Sequence, residues 1–315
     1  MSSSSGPDAT PRLDIAELEQ AEEIEQGPSK VRALGDATDP GERGGGWITT
    51  AWALPGGLWL GFYLVAPLVF IVLVSFWTYK LGAKSGFTTQ WTLSNYGAIL
   101  HSSTYWHNML GSLYTSLICV AACLILGFPV AYFLALKVET LRNQIALFII
   151  ALAPFWTSFL VRSVAWTYPL SEVLGKVGVS TPSTTSVRLA MIQLYVLFMI
   201  TPLFFTLAQV DRTAIEAARD LGGNWWRTFI AVILPQTLPG IVIGSIFIFV
   251  LTMGEYGTVL VVGQNYVQSV GTIVNSYITN AVEYPQGAAA AVLLVLALIA
   301  GVLAITRFSN LREDL

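Results

Sequence analysis

The sequence predicts an all-α membrane protein of six transmembrane helices, with one structured polar loop set between two long apolar segments. Three observations carry that prediction. The 315 residues are 54% apolar and only 11% charged, where a soluble domain carries about a quarter charged residues. Six stretches are apolar over the roughly 20 residues that a bilayer crossing needs. The substantial polar island among them, Asp211 to Pro239, carries helix start and stop signals rather than the composition of a loose linker.

The chain opens on a tail, residues 1–46, that holds ten of the 19 acids and four of the 16 bases. It starts with a serine run and lacks the positive start and apolar core of a secretory signal. It reads as a disordered acidic segment, with one short amphipathic patch at Leu13, Ile15, Leu18, Ala21 and Ile24. The remainder holds nine acids and twelve bases, so the membrane part is mildly cationic. With a net charge of −3 and no basic patch, nucleic-acid binding is excluded.

The spans are expected at Trp52 to Tyr79, Leu110 to Leu136, Ile145 to Tyr168, Leu189 to Gln209, Gly240 to Val262 and Gly287 to Thr306. Residues 47–107 then comprise the first helix and an external loop rich in Ser, Thr and aromatics, residues 108–307 the core, and residues 308–315 a short C-terminal end. Cys119 and Cys123 lie one turn apart in the second span and read as small apolar filler. His101 and His107 fall in the external loop as interfacial polar residues.

Lysine and arginine in short loops set the orientation. One side collects Lys137, Arg142, Arg212, Arg219, Arg227, Arg307 and Arg312; the other has Lys80, Lys84, Lys176 and Arg188 over three longer loops. Both termini and the polar island are therefore expected in the cytoplasm.

Within the island, Thr213 and Glu216 have the spacing of a capping box. Ala217 and Ala218 favour helix. Gly222 suits a left-handed helix end, and Asn224 opens a second helix ahead of Trp225 and Trp226. Glu216-Ala217-Ala218, then Gly222, then Val232-Ile233-Leu234-Pro235 resembles the EAA loop of the membrane subunits of ATP-binding-cassette importers. The chain departs from that pattern only in Val232. The resemblance to the importer-permease domain covers roughly Asn108 to Arg307 and implies the six-helix fold of type I importer permeases with a cytoplasmic coupling helix. It further implies that Glu216, Ala217, Ala218 and Gly222 dock in a groove of a separate ATPase dimer. A second permease subunit and an extracytoplasmic substrate-binding protein would complete the machine. Capping of its own helix is a sufficient structural role for Glu216, and both roles are compatible.

Ionisable residues inside spans are functional candidates. Arg162 lies in Pro154 to Arg162, and Glu255 lies in Met253-Gly254-Glu255-Tyr256-Gly257. On straight helices they sit about 26 Å and about 23 Å from the inner ends of their segments, at similar depth in the outer half. Two readings stand: the charges pair with each other or with backbone and stabilise the bundle, or they line the pathway together with Trp156 and Tyr256. Gly254 and Gly257 weaken the helix around Glu255. These stretches, with Trp91 to Tyr96 and Tyr284 to Ala289, look like the spermidine/putrescine-type permeases, although similar relatives carry ferric iron, thiamine or sulfate.

No phosphate-binding loop is present, since Gly82-Ala83-Lys84-Ser85 has the wrong frame. No catalytic or metal-ligating constellation appears. The expectation is a transport subunit without a cofactor of its own that moves a small solute, ATP hydrolysis residing in another chain. A secondary transporter with Glu255 as proton carrier is the rival, but no inverted repeat supports it and the EAA-like loop would be unexplained. A structural scaffold would explain neither the loop nor the charges.

Overall fold

The computed structural model describes residues 46–80, 87–167, 169–176 and 178–313. The acidic tail before residue 46, with its patch around Leu18, lies outside the described residues, as do Gly82 to Ser85. Helix α1 (Gly46–Ser75) leads into an antiparallel hairpin of β1 (Trp77–Tyr79) and β2 (Phe87–Trp91), then a short helix α2 (Ser94–Leu100). Helix α3 (Ser103–Tyr132) continues through a π-helical turn to Lys137. Helices α4 (Leu141–Leu152) and α5 (Phe159–Ala165) flank a 3₁₀ turn at Ala153–Trp156, and α6 (Pro169–Lys176) precedes α7 (Thr184–Ala208). Then come α8 (Arg212–Asp220), α9 (Trp225–Thr228), a π-helical turn at Phe229–Ile233 and α10 (Leu234–Met253). Helices α11 (Gly257–Gly263), α12 (Val270–Thr279) and α13 (Tyr284–Glu313) end the chain.

Among the described residues, five helical stretches are long and apolar enough to cross a membrane: Leu54–Ser75, Ser103–Lys137, Thr184–Ala208, Trp225–Met253 and Tyr284–Arg307. A sixth results when the bent pair Leu141–Trp156 and Phe159–Ala165 counts as one span. The six-span expectation therefore holds, with three corrections. The third span is not straight: it bends by 79° at Thr157 and Ser158, where Pro154 in the 3₁₀ turn cannot support a continuous ladder. The depth assigned to Arg162 on a straight helix falls with it. The fifth span is displaced toward the N-terminus: it starts at Trp225, passes the π-helical turn at Phe229–Ile233 just ahead of Pro235, and ends at Gly254. The end of the first span, Trp77–Tyr79, is a strand. Asn95 Nδ2 donates to the carbonyls of Ser75 and Trp77, both at 2.8 Å, and turns the backbone out of the helix.

Helix α7 is the centre of the bundle. It runs parallel to α3, with Thr115 beside Arg188 and Cys123 beside Ile192, and antiparallel to α10, with Tyr195 opposite Glu255 and Thr206 opposite Gly240. Met191, Leu194, Met199, Leu203 and Leu207 are all buried in this seam, as are Cys119, Cys123 and Ile248. Water-driven burial is weak between helices in lipid, so close approach of backbones matters more. Gly240 and Gly244 supply it: a Cβ at Gly240 would strike the Thr206 hydroxyl, and one at Gly244 would lie 2.6 Å from the Met199 sulfur. Phe148 on α4 stacks on Phe204 at 4.6 Å and attaches the bent span to the seam. A smaller cluster of Ile99, Tyr105, Met109, Met253, Val270 and Ala290 joins α2, α3, α10, α12 and α13, with Tyr105 donating to the Ala290 carbonyl at 3.1 Å.

The expected external loop is more ordered than its composition suggests. Ser75 bonds Tyr96 at 2.7 Å, and Trp77 stacks on Phe87 at 5.0 Å. His107 is not in a loop but in the second turn of α3.

Candidate functional site

Two regions carry the residues singled out by the sequence. The first is the turn from α8 to α9. The predicted Thr213–Glu216 capping box does not form. Asp211 is the cap instead: its Oδ1 accepts from the Thr213 amide at 2.8 Å and from the Thr213 hydroxyl at 2.7 Å. The Thr213 hydroxyl is consumed by Asp211 and cannot serve as a cap itself. The same hydroxyl bond, followed by the backbone amide bond, holds the Asp211 carboxyl below the usual carboxylate range. An aspartate ahead of the helical pattern was a legible signal that the Thr213–Glu216 spacing obscured.

The other end of α8 behaves as expected and adds one residue. Gly222 has a φ of +80°, the left-handed conformation anticipated for it. Its amide donates to the Arg219 carbonyl and that of Gly223 to the Ala218 carbonyl, each at 2.9 Å, a complete Schellman closure. Gly223 is required for a different reason: a Cβ there would collide with the Ala218 carbonyl oxygen. Asn224 caps α9 through Oδ1, which accepts from the Arg227 amide at 2.9 Å. So the chain reverses within two glycines and enters the next helix without an unsatisfied end.

What this places outward is specific. Glu216 and Ala217 are exposed, Ala218 is half-buried, and Leu221 at the tip is 89% exposed. Ile215, one turn from Ala218 on the same face, packs on the main core. Trp225 stacks on Phe229 at 5.4 Å, and Phe229 meets Phe128 of α3 edge-on at 5.4 Å. The Asp211 amide also donates to Gln236 Oε1 of α10 at 3.3 Å. The turn is thus fastened to two spans at its base and presents an acid, two alanines and a leucine above it.

The second region is a pair of adjacent helix breaks. Helix α10 ends at Met253 with Gly254 as its cap, and α11 begins at Gly257, as the two glycines foretold. Glu255 lies in the gap. Its Oε1 accepts from the Thr258 amide at 2.7 Å and its Oε2 from the Tyr195 hydroxyl of α7. The Ser269 hydroxyl donates to the Glu255 carbonyl at 2.9 Å, and Gly271 lies so close that a Cβ there would sit 2.7 Å from the Gly254 carbonyl oxygen. The bent span brings its own break alongside: a Cβ on Gly257 would lie 3.2 Å from the Phe159 ring.

Arg162 follows that break. Its Nε and Nη1 are buried without a hydrogen-bond partner, and among the described residues no ion pair joins it to Glu255. Of the pairing reading, the mutual ion pair is corrected and the backbone alternative stands for Glu255, which is held by Tyr195 and the α11 amide end, not by Arg162. Tyr195 went unnoticed because a tyrosine in an apolar span carries no signal of its own. Trp156 and Tyr256 are 85% and 51% exposed. None of the four pathway candidates lines the cavities of 760 and 540 Å³ formed elsewhere in the bundle.

With this geometry in view, residues 127–312 match the family model described as the binding-protein-dependent transport system inner membrane component, more than half of the chain. The chain is 32% identical over 250 residues to the spermidine/putrescine transport system permease protein PotB of Salmonella typhimurium, covering 76% of this chain and 85% of that one. It is equally 32% identical to PotB of Escherichia coli strain K12, with 76% and 89% covered. Among solved structures, a bacterial transporter that imports the acidic polysaccharide alginate aligns with a TM-score of 0.57 at 16% identity, covering 84% of this chain and 95% of that one. That last likeness is one of fold.

Proposed function

We propose that this chain, which belongs to the family of binding-protein-dependent transport system inner membrane components, is the permease subunit of an ATP-driven importer of a polyamine such as spermidine or putrescine. The observation that carries the substrate class is the 32% identity over 250 residues to proteins of that name. The chain works as a multi-pass protein of the inner membrane. It forms the pore with a second permease subunit, receives solute from a binding protein outside, and leaves ATP hydrolysis to an ATPase dimer inside.

In this reading the α8–α9 turn is the coupling element. Glu216 offers a carboxylate to a base on the ATPase, Ala217 and Ala218 let the helix lie close, and Leu221 enters the groove as an apolar anchor. Movement of the ATPase reaches α3 through Trp225, Phe229 and Phe128, and reaches α10 through Gln236. A lever of this kind selects between inward-open and outward-open states only if ATP favours one of them. Glu255, at the adjacent breaks, supplies the negative charge that a polyammonium ion meets on its way. Both termini and the α8–α9 turn lie in the cytoplasm, as the lysine and arginine distribution supports.

The direct test is uptake of labelled spermidine and putrescine by cells that lack their own polyamine importers and express the full transporter. Saturable uptake that is lost when this chain is omitted is expected. A transporter that assembles but carries another solute and neither polyamine overturns the substrate assignment. Orientation is checked by single cysteines: one at Asn275 labels from outside with a membrane-impermeant thiol reagent, whereas one at Asn224 labels only after the membrane is opened.

A further inference from the structure

We propose that the 760 Å³ cavity between the first turns of α3 and α7 and the segment leading into α12 is an oxyanion site, taking a carboxylate or phosphate-like group. It borders the break that holds Glu255, since Thr252, Val259 and Ser269 also line it, but Glu255 itself does not line it, and the inference does not rest on the polyamine reading. The cavity is lined by Arg188 of α7, by His107, Asn108 and Ser112 of α3, and by Tyr266 and Gln268 ahead of α12. Among the described residues no aspartate or glutamate lines it.

Arg188 is fixed in place without being neutralised. Its Nε donates to Thr115 Oγ1 at 3.3 Å, and its guanidinium carbon stands 5.1 Å over the Tyr114 ring. Both contacts orient the group and both leave it cationic. Among the described residues no carboxylate pairs with it, and its Nη groups meet no acceptor. A half-buried cation without a counter-ion is costly unless something outside the chain supplies the charge.

The surroundings add helix starts and neutral polar groups to the charge of Arg188. Ser103 and Thr104 open α3, Thr184 opens α7, and Ser269 caps α12; all four line the same cavity. Three helices of ten or more residues therefore begin at its wall, with first-turn amides of Tyr105, Ser186 and Thr272 bonded to their own cap hydroxyls. Asn108, Gln268 and Tyr266 add neutral donors. The hydroxyls and side-chain amides can donate or accept, so the charge of Arg188 sets the preference of the cavity for an anion.

The anion has two possible sources, a small free solute or an acidic side chain of the solute-binding protein docked at this end. The test uses the complete transporter in nanodiscs, wild type and with Arg188→Gln or Arg188→Lys. Sulfate and succinate are titrated at constant ionic strength and followed by calorimetry, and association of the purified binding protein is measured with and without sulfate. Saturable binding of either anion, weakened at least tenfold by Arg188→Gln and less by Arg188→Lys, assigns a free anion. Tenfold weaker binding-protein association in Arg188→Gln, matched in wild type by sulfate competition, assigns a docked carboxylate. Should Arg188→Gln fail to accumulate, the wild-type titrations decide. No saturable anion binding together with no sulfate effect on association overturns the proposal.

Discussion

The α8–α9 turn and the paired breaks around Glu255 are both interruptions of apolar helix, yet they are built in opposite ways. In the turn, the interactions that define the geometry span six residues or fewer: Asp211 to Thr213, Gly223 to Ala218, Asn224 to Arg227. At the breaks, the defining contacts are distant in sequence: Tyr195 to Glu255, Phe159 to Gly257, Gly271 to Gly254. A turn closed by local bonds keeps its shape when its partner is absent, as a docking element must. A break closed by other helices changes whenever those helices move, as a pathway element must. The contrast can be broken or sharpened by four measurements.

The largest effect is expected from Glu216→Lys. The carboxylate is exposed and has no hydrogen-bond or ion-pair partner among the described residues, so abundance in the membrane should be unchanged while uptake and stimulated ATP hydrolysis fall at least tenfold. Ordinary transport at ordinary abundance would remove the docking role and leave the turn as a purely structural closure.

Next in size is the coupling at Glu255. Glu255→Gln and Tyr195→Phe should each destabilise, and a double-mutant cycle should return a coupling of about 1–3 kcal/mol, the range for residues sharing a buried hydrogen bond. Arg162→Gln combined with Glu255→Gln should be additive within about 0.5 kcal/mol. Strong coupling in that second cycle, with none to Tyr195, would restore the ion pair and erase the distinction drawn for this region.

A smaller effect belongs to Gly222→Ala, which places a side chain at a φ of +80° and should cost about 1 kcal/mol. The loss should be confined to the turn and visible as faster amide exchange at Gly222 and Gly223. Propagation of the exchange to the Glu255 region would show that the two interruptions are not independent.

The smallest is the titration of Asp211. Its folded-state pKa is depressed by the Thr213 hydroxyl bond first and the Thr213 amide bond second. The cap's contribution is therefore fully present above the ordinary aspartate pKa and is lost as pH falls through the lower folded value. The Thr213 amide should stay protected from exchange at neutral pH and lose protection only in acid, and Asp211→Ala should abolish the pH dependence. Protection that is flat across the acid range would remove Asp211 as the cap.

The amino-acid sequence by itself determined the class, the six apolar segments, the α8–turn–α9 element and the helix interruption at Gly254 and Gly257. Each of these rests on composition or on contacts within a few residues, where propensity and chain sterics act directly. Pattern failed where two local solutions competed: Thr213 was read as a cap although Asp211, two residues earlier, takes its hydroxyl. The tertiary structure alone decided the 79° bend before Arg162, the partnership of Glu255 with Tyr195, the linkage of Trp225 through Phe229 to Phe128, and the acid-free cavity at Arg188. These unite residues far apart in the chain. In a uniformly apolar bundle nothing in the one-dimensional pattern says which helix face meets which, because lipid and neighbouring helix are equally acceptable to a leucine.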